Sequence, residues 1–312
     1  MNKKNSISLV DILMVLVAVS WGFHPIAIKF GIENLPPSTF NPFRMVLAAL
    51  SAILITAILG EFKKIELVDW PKLLFVSIIG YFCYQNFFGL GSGNTTSGNV
   101  SFIFALVPIS IALINWMRGA KISTQMWFGI AISVIGVFTL ILGSGQSLDL
   151  SGTNMKGIVY IFISVISFSL FTIYSSDLSK KYSCSLISCY AISITSLMLV
   201  AISWNSIDFV ALKSANSVAW FGAAFSGVIA VSMASFLWTW GAEKLGSTKV
   251  SVYNNLPPVF TMVAGFFMLG ERFTTIQIIG AIMIFAGLYV SNAQFGNKHS
   301  KIQSHSTNSK AA

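Results

Sequence analysis

Seven side chains stand where long apolar runs leave them little polar company, and they are the candidates for chemistry. His24 sits beside Pro25 in the first such run. Tyr81, Tyr84 and Gln85 fall at i, i+3 and i+4 of a third run, on one helical face, with Asn86 adjoining. Asn254 and Asn255 come just ahead of Pro257 and Pro258. Trp238 closes a further run together with Trp240. Ionisable and amide groups are expensive in hydrocarbon, so they mark a pathway or bond across helices.

Each candidate carries a functional reading and a structural one. His24 contacts a substrate or titrates near neutrality; the alternative is a bond to the carbonyl that Pro25 frees. Gln85 suits no lipid-facing surface, so this group lines a cavity or bonds to another helix. Two amides before two prolines make a poor uninterrupted helix. A helix broken at midplane, with carbonyls facing a cavity, would bind a ligand; a kinked helix satisfied by its own amides would not. Trp238 offers flat apolar contact or a gate, against a place in an interfacial aromatic belt. Lys29 and Arg44 lie near the outer ends of the first two runs. Snorkelling to the interface explains both, with contact to a carboxylate or phosphate as the alternative.

Some chemistry has no residues to support it. The ten acidic residues all map to helix ends or loops. A carboxylate-driven proton pump or an acidic-ring cation channel is therefore disfavoured. That leaves a facilitator or exchanger, or coupling through His24. No phosphate-cradling glycine loop, zinc-protease spacing or nucleophile elbow occurs. The expectation is no enzyme, no cofactor and no metal. Cys83, Cys184 and Cys189 lack ligand spacing and read as small apolar fillers.

The elements that must hold these groups follow from composition. The 312 residues are 55% hydrophobic and 9% charged, against about 25% charged in soluble domains. The reading is an all-α integral membrane protein. Apolar runs at 9–32, 38–59, 71–90, 96–117, 126–142, 157–178, 185–204, 217–240, 247–269 and 275–292 are near the length of a spanning helix. The first resembles a secretory signal but continues past Trp21-Gly22-Phe23, so it is read as retained. The net charge of +9 lies in loops and sets topology. It does not form a nucleic-acid footprint. Fourteen of the 19 Lys and Arg fall on the side of the N-terminus, which makes both termini cytoplasmic.

The halves repeat. The stretch from Leu90, with Gly91, Ser97, Val100-Ser101, Leu106, Pro108, Gly119, Gly129 and Gly136, aligns with that from Trp240. There the matches are Gly241, Ser247, Val250-Ser251, Leu256, Pro258, Gly270, Gly280 and Gly287. Five helices per half is an odd number, so the second copy is inverted, as in many secondary transporters. The expected organisation is 1–8 as a cytoplasmic N-terminus, 9–142 as the first five-helix repeat and 143–156 as a linker. Residues 157–292 form the second repeat and 293–312 a polar cytoplasmic tail. Gly222, Ser226, Ala230 and Ala234 form a small-residue stripe for close helix packing.

Three stretches resemble the drug/metabolite transporter superfamily, EamA type. They are Trp21–Arg44 with its Trp-Gly, Lys and Arg, Ser97–Pro108, and Trp240–Leu288 including Gly270-Glu271. Gly119-Ala120 departs from the Gly-Glu of the family. The resemblance implies export or exchange of small metabolites across the cytoplasmic (inner) membrane, in a monomer or homodimer. It also suggests a cavity lined by the first, third, fourth, sixth, eighth and ninth helices. Lack of charge among the candidates favours amino acids or similar zwitterionic or neutral compounds over phosphates. The alternatives are a non-transporting membrane scaffold, drug efflux, or nucleotide-sugar/phosphate transport.

Overall fold

The computed structural model describes residues 8–269 and 272–292, all helix and connection. Nine helices among the described residues are long and apolar enough to cross a membrane. We number them, with one broken helix, as α1 Leu9–Ile32, α2 Pro37–Ile58, α3 Leu67–Ser92, α4 Ser97–Met117, α5 Thr124–Gly143, α6 Gly152–Leu178, α7 Cys184–Ser206, α8 Ser217–Leu245, α9 and α10 Thr275–Asn292. The α9 helix is assembled from Ser247–Ser251, a 3-10 turn Val252–Asn255 and Pro257–Leu269. Residues 1–7, the Gly270-Glu271 pair and the tail from 293 lie outside the described residues.

Helix starts follow local chemistry. Ser8 and Asp11 form a capping box on α1. Thr96, Ser123, Ser183 and Asn216 each accept a backbone N–H at the start of α4, α5, α7 and α8. Pro37 opens α2 at a position that needs no N–H.

The interruptions matter more for function. Helix α9 breaks where the amides and prolines suggested. Helix α4, whose Pro108 aligns with Pro258, is also broken, at residues 105–106 between Ser97–Phe104 and Val107–Met117. Pro108 has no N–H to offer the carbonyl four residues back, that of Phe104. Asn254 Nδ2 donates to that oxygen instead, at 3.3 Å. One broken helix thus satisfies the other. Val76–Phe82 in α3 and Phe225–Met233 in α8 are wound as π-helix, a form that often accompanies functional sites.

Packing is close where side chains are absent. Helices α5 and α10 meet backbone to backbone. A Cβ on Gly136 would lie 2.9 Å from the Gly280 carbonyl oxygen, and one on Gly287 2.6 Å from that of Gly129. The stripe on α8 packs as its spacing suggested. A Cβ on Gly222 would meet the Ala27 carbonyl of α1 at 2.5 Å, and Ser226, Ala230 and Ala234 are buried.

The stretch between α5 and α6 is shorter than the sequence suggested, because α6 already starts at Gly152. It is held in place. Asn99 donates to the Asp149 carbonyl at 2.6 Å and accepts the Asp149 N–H at 2.8 Å.

Candidate functional site

Inside this bundle a wall of rings from four helices converges. Trp21 of α1 lies 5.0 Å from Trp238 of α8, centroid to centroid, and 6.0 Å from Phe168 of α6. Phe168 is 4.8 Å from Tyr84 of α3, which in turn meets Tyr81 at 5.8 Å. The polar end of each amphipathic ring that is bonded finds a partner on another helix. Trp21 Nε1 donates to the Ala230 carbonyl at 2.9 Å and Trp238 Nε1 to Thr172 Oγ1 at 3.0 Å. Tyr81 Oη pairs with Ser235 Oγ at 2.7 Å.

A polar layer lies beside the wall, toward the face that carries the α1–α2 turn. His24, Arg44, Gln85 and Ser226 are each about 10–14 Å from their helix ends at that face, at 1.5 Å per residue. His24 Nε2 and Ser226 Oγ are 2.8 Å apart. Pro25 therefore does not bring the imidazole to its own helix backbone; the ring reaches across to the π-wound part of α8. Arg44 donates through Nε to Asn41 Oδ1 at 3.1 Å and through Nη2 to Gln85 Oε1 at 3.4 Å.

The structure thus brings His24, Tyr81, Tyr84, Gln85 and Trp238 into one region and adds Arg44, which the sequence placed elsewhere. Snorkelling does not describe Arg44. It is only 6% exposed and is turned inward by Asn41, one helical turn earlier, and by Gln85. Lys29 is exposed, as a snorkelling residue is. Trp238 is likewise no interfacial anchor, being 1% exposed and bonded inside the bundle. Its place near the end of α8 misled, because α6 and α7 cover that end.

Asn254 and Asn255 stand at the crossing of the broken helices. Asn254 donates to the carbonyl of Phe104, whose ring lies 6.1 Å from Tyr84 and 6.2 Å from Phe168, so Asn254 reaches the edge of the wall. Asn255 Nδ2 donates to Ser133 Oγ of α5 at 2.6 Å.

The two ends of the bundle are closed differently. At the end opposite Arg44, Arg118 pairs with Asp177 at 2.5 Å, and Lys181 with Glu66 and Asp69, each at 2.7 Å. Those two carboxylates, Asp69 first, push the Lys181 ammonium above its usual range. At the Arg44 end the described ties around the α1–α2 turn are neutral. Asn216 donates to Asn34 at 2.9 Å, Ser38 to the Ser206 carbonyl at 3.0 Å, and the Asp208 N–H to Thr39 at 2.8 Å.

A bundle of membrane-spanning helices with polar groups gathered at its centre defines a multi-pass membrane protein, and comparison with known proteins specifies which class. The model of the EamA-like transporter family matches residues 8–142 and again 155–293. The chain belongs to that family. An uncharacterized transporter of Archaeoglobus fulgidus is 26% identical over 89% of this chain and 97% of its own length. An uncharacterized transporter of Bacillus subtilis, YoaV, is 21% identical over 93% and 99%. A probable amino-acid metabolite efflux pump of Escherichia coli is 23% identical over 90% and 93%. A solved crystal structure shares the fold with a TM-score of 0.78 at 15% identity, covering 92% of this chain and 99% of the other.

Proposed function

We propose that this transporter is a secondary exporter or exchanger of amino acids or similar small metabolites, working at the central layer of His24, Tyr81, Tyr84, Gln85 and Trp238. The observation that carries the reading is convergence. Polar side chains from several helices meet deep inside an apolar bundle, beside a wall of rings. Binding sites combine apolar walls with few polar anchors in this way, and membrane proteins rarely accept such groups without use. The name of the Escherichia coli relative supports the amino-acid class.

An inverted pair of five-helix repeats would let the halves rock about the central layer. Three features support that arrangement. The family model matches twice. The breaks in α4 and α9, and the π-wound stretches in α3 and α8, occur at equivalent depths. Gly129 faces Gly287 while Gly136 faces Gly280, so repeat-equivalent glycines exchange partners as a two-fold axis requires.

The test is reconstitution in liposomes with a panel of radiolabelled amino acids, nucleosides and sugar phosphates. Saturable exchange of an amino acid or close analogue is expected. A folded sample that moves only sugar phosphates, or nothing in the panel, would overturn the reading.

A further inference from the structure

Arg44 has less company than a buried cation should have. Its Nη1 atom is buried without any hydrogen-bond partner. Its two bonds go to neutral amides, and the one to Gln85, at 3.4 Å, is long for an N–H···O bond. The ion pairs among the described residues all lie at the other end of the bundle. Described carboxylates occupy terminal turns and connections, none of them beside Arg44. A guanidinium cannot shed its proton to escape this position. A buried charge is ordinarily paired, so a counter-charge is missing.

We propose that the missing partner is a single carboxylate of the transported molecule, received by Arg44. The inference rests on the transporter reading above and narrows its substrate class. A guanidinium presents parallel N–H groups that match a carboxylate in bidentate fashion. Nη1 is unengaged, and Nη2 would exchange its long bond to Gln85 for a shorter, charge-assisted one. One positive charge balances one negative charge. A phosphate dianion would bring surplus charge into the same low-dielectric layer, where no second described cation is buried beside Arg44. The Gln85 carbonyl, once released, becomes an acceptor for the substrate's own N–H or O–H. The rings of Tyr84, Phe168 and Trp21 then lie alongside for an apolar body.

The experiment uses the full chain in detergent, with fluorescence of the site tryptophans and thermal unfolding as readouts. The probes are L-phenylalanine, 3-phenylpropionate, L-phenylalaninol, phenyl phosphate and sodium chloride. The two carboxylates should bind; the alcohol should bind at least about thirtyfold more weakly. Arg44→Gln should weaken carboxylate binding by at least as much, the lower range for truncating one partner of a buried charge pair.

Gln85→Glu distinguishes a binding role from a purely structural one. It supplies Arg44 with an internal counter-ion, so it should raise the unfolding temperature while abolishing carboxylate binding. If Arg44 serves only to hold α2 against α3, Gln85→Glu will strengthen that contact and leave binding intact. The proposal is overturned by equal binding of acid and alcohol, by chloride or phenyl phosphate as the preferred ligand, by no response to either carboxylate, or by Gln85→Glu that fails to stabilise. Liposome exchange separates the two levels: transport that ignores both the carboxylate and Arg44→Gln sinks this inference alone, whereas the absence of any transport sinks the reading beneath it.

Discussion

Replacing Gly287 by alanine should loosen the α5–α10 contact, and the structure sets the size of the effect. The added Cβ would lie 2.5 Å from the Ser133 nitrogen and 2.6 Å from the Gly129 carbonyl oxygen. Both are backbone atoms in helices that cannot swing aside. Ordinary contact requires the helices to separate by roughly 1 Å, and overpacking of this kind costs about 1–3 kcal/mol. A second loss follows, because Ser133 moves with α5. Its Oγ accepts the Asn255 amide at 2.6 Å, and a shift of about 1 Å takes that bond beyond useful length. Asn255 is fully buried and its Oδ1 already lacks a partner, so stranding the amide adds about 1–3 kcal/mol. The sum is roughly 2–6 kcal/mol, or about 3–9 °C in melting temperature for a chain of this size. Thermal unfolding in detergent, followed by circular dichroism, measures it. Gly89→Ala is the control. It meets no atom within 4 Å and replaces a poor helix former with the best one, worth up to about 1 kcal/mol. Equal melting of Gly287→Ala and wild type, or an equal fall for Gly89→Ala, would refute the packing argument.

Other expectations follow from the same contacts. Asn99→Ala removes both bonds to the Asp149 backbone and should cost about 2–3 kcal/mol, with faster hydrogen exchange of residues 146–150 as its mark. His24→Gln keeps a polar group for Ser226 but cannot titrate near neutrality. Downhill exchange should survive both this change and collapse of the proton gradient, while selective loss of uphill accumulation would assign proton coupling to His24. Trp238→Phe keeps an aromatic ring but loses the bond to Thr172 and leaves a small cavity; about 2–3 kcal/mol of stability should go, against roughly 3–5 for Trp238→Ala. Reporters fused after Lys64, Lys121 and Lys181 should read cytoplasmic and those after Asn34, Gln146 and Lys213 external, and a reversal at Gln146 would break the inverted arrangement.

Local patterns were legible where a single segment determines the outcome. Tyr81, Tyr84 and Gln85 share a face because helical spacing puts them there, and α9 breaks because paired prolines leave it no alternative. The break in α4 was legible only through the repeat, which sets Pro108 at the position of Pro258. One proline alone is compatible with a kinked but uninterrupted helix, and the group that serves the freed Phe104 carbonyl comes from Asn254, 150 residues away. Arg44 was misplaced for a similar reason. Depth along a helix says how far the stem must reach to water, but not that Asn41 and Gln85 offer acceptors inside. The π-wound stretches left no mark in composition, although they set the angles at which Tyr81 and Ser226 face the centre.

The unlike closures of the two ends have a consequence for how the protein meets its surroundings. Exposed ion pairs weaken as dissolved salt screens them over a Debye length of about 8 Å at physiological strength. Neutral amide and hydroxyl ties are almost indifferent to it. The contacts of the Arg118–Asp177 and Lys181 end therefore weaken as the ionic strength around them rises, while the Asn34–Asn216 tie does not. If the halves rock as proposed, the solution on one side of the membrane sets the balance between the two closures, without any change in the substrate.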